Sequence, residues 1–248
     1  MLPHPQRAKY GAGYLPLKGM EIQFTSTPSP EDQFAARELS QALGAKCTCV
    51  IPTEGLSKSK SPVLLLRRTG PIDALPGADD RPGPDSRESY SIRVTPRGAE
   101  IRARTSAGLF YGVQTLRQMV EMHGREAVLP EVEIEDWPSL AYRGFMMDMS
   151  HGPLPTEEEV KRQIDFLARW KANQYYFYSE ASIQLHGYPL LNPGARFTQE
   201  EVRRIIAYAR ERHIDVVPCV EPILASRFHR SKTFCTSPTF AVGSVEPT

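Results

Sequence analysis

Residues 142–178, YRGFMMDMSHGPLPTEEEVKRQIDFLARWKANQYYFY, hold a strand, a helix and a second strand in that order. We interpret Tyr142–Met149 as the first strand. The acidic residues behind Thr156 are typical of a capped helix start, and apolar residues recur at helical spacing from there to Ala168. The strand Gln174–Tyr178 follows the helix. This order predicts a parallel β/α unit.

A second unit follows with the same type of helix start. Residues 198–201 (TQEE) form another capping pattern, an amphipathic helix follows it, and Asp215–Val220 is predicted as the third strand. Two successive units with no hairpin between them predict a barrel or a doubly wound sheet. We therefore expect an α/β protein in which residues 138–221 form a partial (β/α)8 barrel of about three strands.

Residues 1–137 have a different order of extended and helical segments, and they are predicted to form a separate α+β domain that ends at Trp137-Pro138. Extended segments alternate with two helices, at residues 31–43 and 106–122. We expect a mixed sheet with both helices on one face, and a surface loop at residues 70–88, where Pro, Gly and Asp are frequent. The predicted strands are residues 14–25, Cys47–Ile51, Val63–Leu66, a hairpin at residues 89–104, and Val132–Ile134.

Composition and charge limit the class of partner. The chain has 248 residues, of which 40% are hydrophobic and 24% charged, as in ordinary globular proteins. Its net charge of +1 gives no electrostatic reason to expect nucleic acid or an anionic membrane. No apolar run approaches the ~20 residues that span a bilayer, and the first residues lack the layout of a signal peptide. We expect any export signal to lie outside this sequence.

The four cysteines do not have the spacing of a metal or redox motif. Cys47 and Cys49 are separated by one residue, and Cys219 and Cys235 lie far from them in the chain. Zinc and disulfide-exchange motifs use pairs separated by two residues or a few more. We therefore interpret all four as buried or unpaired thiols.

Polar side chains follow each of the three predicted parallel strands. Asp148 and His151 follow the first strand, Tyr178 and Glu180 the second, and Glu221 the third. Working residues of β/α sheets lie at the carboxyl ends of the strands, because the βα loops converge there. For any one of these residues, a solvent-facing or helix-capping role is an equal alternative. Three acidic strand ends together favour a polar pocket, and carboxylates accept the paired hydroxyl hydrogen bonds that sugars offer.

Four stretches of the sequence resemble one family. Residues 143–156 (RGFMMDMSHGPLPT) resemble the first-strand signature of the glycoside hydrolase family 20 β-N-acetylhexosaminidases. Residues 171–180 (KANQYYFYSE) are similar to the family's second strand, in the branch where it ends in Tyr-x-Glu, and residues 212–221 (RHIDVVPCVE) to its third. Residues 90–119 resemble the end of the domain that precedes the barrel. The resemblance extends from residue 1 to about residue 221.

This resemblance implies a retaining, substrate-assisted hydrolysis of terminal N-acetylhexosamine residues, in which the acetamide oxygen of the sugar is the nucleophile. One carboxylic acid protonates the leaving oxygen and a neighbouring carboxylate orients the acetamide; in the family these are an adjacent Asp-Glu pair after the fourth strand. The implied partner is a glycan that contains N-acetylhexosamine, no metal or cofactor is needed, and members are often exported. The substrate-binding residues that it implies are Arg143, Asp148, His151, Tyr178, Glu180 and Glu221.

The sequence departs from the family pattern in three places. His151 stands where the family usually has an arginine that binds sugar hydroxyls, so a titratable ring replaces a guanidinium. After Glu221 the expected Gly-His loop does not follow. Residues 222–248 show no periodicity, and we interpret them as a divergent, irregular tail from a truncated or frame-shifted end. No fourth strand and no Asp-Glu pair follow, so we assign no catalytic residue and expect the chain to be inactive alone.

Three functions fit these observations. The first is a hydrolase of the β-N-acetylhexosaminidase type whose chain does not turn over substrate by itself. The second is a non-catalytic carbohydrate-binding or interaction module. The third is an unrelated (β/α)8 enzyme that shares only the architecture, since a fold does not determine a function. The sequence predicts no oligomeric state.

Overall fold

The computed structural model describes residues 1–44, 46–47, 62–72, 81–220 and 234–235. Within these ranges the strands form one eight-stranded and one four-stranded sheet, each accompanied by two helices. The strands are Arg7–Pro16 (β1), Glu21–Phe24 (β2), Lys46–Cys47 (β3), Val63–Arg68 (β4), Tyr90–Thr95 (β5), Gly98–Ala103 (β6), Glu121–His123 (β7), Glu126–Asp136 (β8), Gly144–Asp148 (β9), Gln174–Ser179 (β10), Asp215–Val220 (β11) and Phe234–Cys235 (β12). The helices are Pro30–Leu43 (α1), Ser106–Gln118 (α2), Glu157–Arg169 (α3) and Gln199–Arg210 (α4).

The N-terminal domain is a mixed sheet with the strand order β1-β8-β5-β6-β4-β2-β3, and β7 pairs with β8. Strands β2, β3, β4 and β6 run parallel, whereas β5 and β8 pair antiparallel with their neighbours. Helix α1 contacts α2, and α2 packs on β4, β5 and β6, so both helices lie on one face. Gly112 permits this close packing, because a Cβ there would lie 2.5 Å from Cγ2 of Ile101. The predicted mixed sheet with helices on one face is confirmed.

Two predicted boundaries in this domain are wrong. Helix α2 ends at Gln118 and not at residue 122, because Glu121–His123 pairs with the start of β8 around a turn at Gly124, where φ is +64°. The extended segment at residues 14–25 is two strands, β1 and β2, separated by a turn at Gly19 with φ of +74°. Left-handed backbone of this kind is readily adopted by glycine, so the chain reverses or bends at these points.

The predicted loop at residues 70–88 is only partly on the surface. Residues 73–80 lie outside the described residues, but Ser86 and Glu88 are buried. The Glu88 carboxylate accepts hydrogen bonds from the second domain, which explains its burial. Of the predicted strand Cys47–Ile51, the structure describes only its first residue, in β3.

The second domain begins with three parallel strands that are neighbours in chain order, β9, β10 and β11. This arrangement confirms the predicted β/α series. On β10, Tyr175 and Phe177 are buried; Tyr175 donates to Gln163 of α3 at 2.7 Å, and the Phe177 ring packs on Phe197, just before α4. The side chain of Tyr176, between them on the strand, faces the opposite side of the sheet. Strand β12 pairs antiparallel with the last two residues of β11.

The two helices of this domain begin differently. Thr198 forms a complete capping box, in which its hydroxyl accepts from the Glu201 N–H at 3.2 Å and the Glu201 carboxylate accepts from the Thr198 N–H at 2.7 Å. Thr156 accepts from the Glu159 N–H at 3.2 Å, but the Glu159 carboxylate pairs with Arg162. The first predicted capping box is therefore formed in one direction only.

A buried ion pair joins the two domains near the amino end of β10. The Lys171 ammonium donates to Asp136 at 2.9 Å and to the Tyr90 hydroxyl at 2.6 Å, and Tyr90 in turn donates to Asp136. Both charged side chains are less than a tenth exposed. Burial lowers the pKa of Lys171, and the Asp136 carboxylate opposes this effect. The cluster fixes the second domain against β5 and β8.

His213 forms an apolar part of the same domain interface. Its side chain is buried between Phe110 and Tyr111 of α2, with ring centroids 5.4 and 6.4 Å away, and neither ring nitrogen has a hydrogen-bond partner. Burial lowers the pKa of His213 to about 3; the positive charge of Arg87 lowers it further and Asp32 opposes the shift. The imidazole is therefore neutral in the folded chain.

We expect the stability of the chain to fall as the pH drops below 6.5. The unfolded state binds a proton at His213 near its ordinary pKa of about 6.5, and the folded state does so only near pH 3, so the stabilisation present above pH 6.5 is lost on acidification. Between pH 7.0 and 5.5 this group accounts for about 1 kcal/mol of the free energy of unfolding. Urea unfolding at both pH values measures it.

His213→Asn is the test variant, because asparagine tolerates the left-handed φ of +57° at this position and does not titrate. Its loss of stability on acidification is expected to be about 1 kcal/mol smaller than that of the wild type. The control His186→Asn changes an exposed histidine and should leave the pH dependence unchanged. Equal pH dependence in His213→Asn and the wild type would show that the fold does not lower the pKa of His213.

The described residues bear on three further expectations from the sequence. The Cys219 side chain is buried. In the described ranges, no three His, Cys, Asp or Glu side chains are grouped as a metal would require. Within the same ranges, every helix is too short or too polar to cross a membrane.

Candidate functional site

The carboxyl ends of β9 and β10 bring four of the predicted site residues together. Asp148 of β9 and Tyr178 of β10 form the last residue pair of the parallel ladder between these strands. His151 lies three residues beyond Asp148 and hydrogen-bonds back to it, and Glu180 lies two residues beyond Tyr178 and accepts its hydroxyl at 3.1 Å. Asp148, His151 and Glu180 were predicted to cluster at one sheet edge together with Glu221; the structure brings these three residues together beside Tyr178, and their role in substrate binding stays a prediction.

Asp148 holds the loop that follows β9. Its Oδ1 accepts the backbone N–H groups of Ser150 at 2.8 Å and His151 at 3.1 Å, and its Oδ2 contacts Nδ1 of His151 at 2.7 Å. The hydrogen bond from Ser150 is the main reason that the pKa of Asp148 is lowered. Asp148 is therefore a carboxylate at neutral pH, and Nδ1 of His151 is its proton donor.

His151 presents the rest of its ring to solvent. The side chain is 71% exposed, and its hydrogen bond to Asp148 raises its pKa, with a further contribution from the negative charge of Glu180. Because Nδ1 faces Asp148, Nε2 is the atom available to a ligand. It accepts a hydrogen bond when the ring is neutral and donates one when the ring is charged.

Serine hydroxyls join the two strand ends, and the sequence analysis did not identify them. The Glu180 N–H donates to Oγ of Ser150 at 2.8 Å, and Oγ of Ser182 donates to the Met149 carbonyl at 2.7 Å. The Ser182 N–H also donates to Oγ of Ser179 at 3.1 Å. These serines lie within a few residues of the acidic strand ends in the sequence, and this proximity could have identified them as members of the site.

Arg143 does not join this cluster, and its predicted role in substrate binding stays a prediction. It precedes β9, about 16 Å along the strand from Asp148 at ~3.3 Å per residue. Its guanidinium donates to Glu88 at 2.5 Å and to the Lys171 carbonyl at 2.9 Å. A guanidinium that faces the N-terminal domain holds the domain interface together. Glu221, the sixth predicted residue, lies outside the described residues.

The arrangement at the strand ends suits a neutral polar ligand. Two carboxylates and an imidazole lie at one edge, with hydroxyls of Tyr178 and Ser150 between them. Carboxylates accept the hydroxyl protons of a polyol, and the exposed imidazole offers either a donor or an acceptor. Fold and cluster together define an α/β protein with a β/α series behind a mixed-sheet domain and a polar site at the strand ends.

Comparison with family models identifies this combination. Residues 1–137 match the model of glycosyl hydrolase family 20, domain 2, and residues 140–222 match that of the glycosyl hydrolase family 20 catalytic domain. The chain therefore belongs to glycoside hydrolase family 20. The alternative of an unrelated enzyme that shares only the barrel architecture is wrong.

Relatives and solved structures agree with this membership. The chain is 34% identical to a β-hexosaminidase of Porphyromonas gingivalis over 56% of this chain and 21% of that protein, and 30% identical to one of Vibrio furnissii over 54% and 26%. It is similar to the Flavobacterium johnsoniae chitobiase, with a TM-score of 0.72 and 25% identity over 88% of this chain and 34% of that one. It is also similar to the Streptomyces plicatus N-acetyl-β-hexosaminidase, with a TM-score of 0.68 and 28% identity over 88% and 45%.

These alignments define how much of a family member the chain represents. It spans 21% and 26% of the two relatives and 34% and 45% of the two structures. The matched part holds the mixed-sheet domain and the first strands of the barrel. The second domain is thus part of a (β/α)8 barrel, as predicted.

Proposed function

We propose that this chain carries part of the substrate site of a β-N-acetylhexosaminidase, which removes terminal N-acetylhexosamine residues from glycans by substrate-assisted, retaining hydrolysis. The observation that carries the proposal is the cluster of Asp148, His151, Tyr178 and Glu180 at the strand ends of a family 20 chain. A mutant of the similar Streptomyces plicatus enzyme has been solved in complex with its product, GlcNAc, which supports a sugar ligand for the family fold.

In this proposal Asp148 is a positioning residue and His151 and Glu180 contact the sugar. Asp148 uses both oxygens within the protein and so fixes the imidazole. Glu180 uses one oxygen for the Tyr178 hydroxyl, which leaves its other oxygen for a sugar hydroxyl. Hydrogen bonds to a charged group contribute about 1.5–3 kcal/mol each, so Glu180 matters most for affinity.

The proposal predicts that the chain binds GlcNAc and that Glu180→Gln weakens this binding by about 10- to 100-fold. Titration of 15N-labelled chain with GlcNAc, followed by NMR, measures the affinity. Glu158→Gln is the matched control, because Glu158 is an exposed carboxylate on α3 that does not belong to the strand-end cluster. No binding by the wild type, or equal affinity in Glu180→Gln and the wild type, would overturn the proposal.

A second candidate function is a carbohydrate-binding module without turnover. The observation that favours it is that Asp148 uses its oxygens within the protein, which makes the described cluster a binding arrangement. The same binding site serves both functions. Measured binding without hydrolysis by the chain would support this candidate.

A further inference from the structure

A cavity of about 360 Å³ lies where the helices of the two domains meet. Helices α1 and α2 of the first domain and α3 and α4 of the second supply its walls, which include Gln114 and Arg117 on α2 and Arg169 at the end of α3. Small-molecule sites have volumes of roughly 300–1,000 Å³ and are frequent at domain interfaces. The cavity is therefore large enough for a small ligand that contacts both domains.

The cavity lies at the opposite end of the barrel strands from the proposed sugar site. Arg169 and Tyr208 on its wall belong to the last turns of α3 and α4, and Arg212 follows α4. In a β/α series each helix leads from the carboxyl end of one strand back to the amino end of the next, so these helices end at the amino edge of the sheet. Asp148 and Glu180 lie at the carboxyl edge. A ligand in the cavity therefore does not compete for space with a sugar at that edge.

The carboxylates on the cavity wall are already engaged by the protein. Asp165 accepts the Tyr208 hydroxyl on its two oxygens, at 2.9 and 2.8 Å, and Nε of Arg212 at 2.6 Å. Glu38 accepts Nη1 of Arg117 at 2.7 Å. Each carboxylate is thus paired with an arginine, and neither adds a free negative charge to the cavity.

Arg212 is held in place from both domains. Its side chain is 10% exposed, and its Nη1 donates to the Tyr208 carbonyl at 3.0 Å. The guanidinium carbon lies 3.5 Å from the centre of the Tyr208 ring and 4.8 Å from that of Phe34 in the first domain. Nη2 of this guanidinium is not used in a hydrogen bond within the described ranges. A donor that is ordered before binding loses little conformational entropy on contact with a ligand.

Further hydrogen-bond donors on the wall also remain unused. Gln114 is 2% exposed; its Oε1 accepts from Nη1 of Arg117 at 3.1 Å, whereas its Nε2 is buried without a hydrogen-bond partner. Among the described residues, the Arg169 guanidinium has no carboxylate partner. The wall carries three arginines against two carboxylates, an excess of one positive charge. Because donors and positive charge are in excess, the ligand that fits is an acceptor with negative charge.

Position in the helices accounts for only part of this charge. Arg117 and Arg169 lie in the last turns of α2 and α3, where the helix dipole stabilises a cation. A dipole role requires neither a cavity between the helices nor the unused amide donor of Gln114. The carbonyl ends of the helices do reduce the positive potential, so we expect the affinity for an anion to be modest.

We propose that this cavity binds a small oxyanion, a phosphate or a carboxylate, which bridges the two domains. Arg169 and Nη2 of Arg212 donate to the anion from the second domain, and Gln114 and Arg117 donate from the first. The planar guanidinium matches the paired oxygens of either anion. An anion that contacts both domains stabilises the interface between them. This inference goes beyond the proposed function and does not depend on the sugar site.

The test is a titration of the full 15N-labelled chain with inorganic phosphate and, in a second arm, with malonate, followed by NMR at an ionic strength held constant with NaCl. Two or three charge-assisted hydrogen bonds correspond to a Kd on the order of 1 mM. The arm with the lower Kd identifies phosphate or carboxylate as the preferred anion. At a concentration ten times the Kd, the anion is expected to lower the equilibrium constant of urea unfolding about elevenfold.

Arg169→Gln should weaken the binding of the anion about tenfold, because it removes a charged donor. Arg169 is exposed, so the change does not disturb the core. Arg169→Lys keeps the charge and should lose less affinity than Arg169→Gln. Arg203→Gln is the matched control, because Arg203 is an exposed arginine on α4 that does not line the cavity, and it should bind as the wild type does. Absence of binding to both anions, equal affinity in Arg169→Gln and the wild type, or an equal loss in Arg203→Gln would overturn the proposal.

Discussion

Asp136→Asn is expected to lower the free energy of unfolding by about 3–5 kcal/mol at pH 7, because it leaves the Lys171 ammonium buried without its counter-charge. The amide is the same size as the carboxylate and keeps an oxygen for the backbone N–H groups of Gln6 and Trp137. Its NH2 group then replaces Oδ2, which accepts from Lys171 and Tyr90, so the variant loses both the negative charge and this acceptor. Urea unfolding of the full chain measures the difference.

A matched control lies one residue earlier in the same strand. Glu135 pairs with Arg7 at 2.9 Å, but these side chains are 61% and 72% exposed, so Glu135→Gln should cost less than about 1 kcal/mol. Adding Lys171→Met to Asp136→Asn should restore part of the stability, because it removes the unpaired charge. Similar losses for Asp136→Asn and Glu135→Gln would contradict the role assigned to the buried pair.

The periodic features of the fold were predictable from the sequence. Apolar residues at helical spacing behind Thr156 and Thr198 gave both barrel helices, because the period of a buried face follows from local geometry. Parallel strands between these helices then placed Asp148 and Glu180 at one edge. This part of the site depends only on chain direction and strand order.

The domain interface was not predictable in the same way. The Glu88 carboxylate accepts hydrogen bonds from Arg143 and Asn173, which lie 55 and 85 residues further along the chain. The periodicity of the sequence does not predict contacts between residues so far apart. The loop composition around Glu88 indicated a surface position, whereas its buried carboxylate is needed to satisfy two donors. The position of Arg143 away from the strand-end cluster was not predictable for the same reason: its motif defines the strand, but its partner Glu88 lies in the other domain.

The end of α2 shows the limit of helical spacing as a signal. Val120 continues the apolar stripe, but the helix stops at Gln118 because the following residues gain a strand partner in β8. The Thr105 hydroxyl, by contrast, caps the helix start by a local contact to the Gly108 N–H at 3.1 Å. Local hydrogen bonds such as this cap can be predicted from the sequence. Pairing with a distant strand, which here ends the helix, cannot be predicted in this way.

The 248-residue chain on its own is expected to release no measurable chromogenic leaving group from an N-acetylglucosaminide. A general acid contributes about 10²–10⁴ to the rate, and stabilisation of the developing charge contributes a comparable factor. The sequence has no Asp-Glu pair after Glu221 to supply either. A continuous absorbance assay at high protein concentration, with an active family relative as the positive control, measures the rate.

The described strand-end residues do not replace an Asp-Glu pair. A general acid must be protonated at the working pH, but the Ser150 N–H lowers the pKa of Asp148 and keeps it ionised. His151 is held by Asp148 on the loop after β9, and in the described residues no further parallel strand follows β11 to place an acid against a glycosidic oxygen. Robust turnover by the pure chain, abolished by Glu180→Gln or Glu221→Gln, would instead place the catalytic acid on the first three strands and show that the family's Asp-Glu pair is dispensable here.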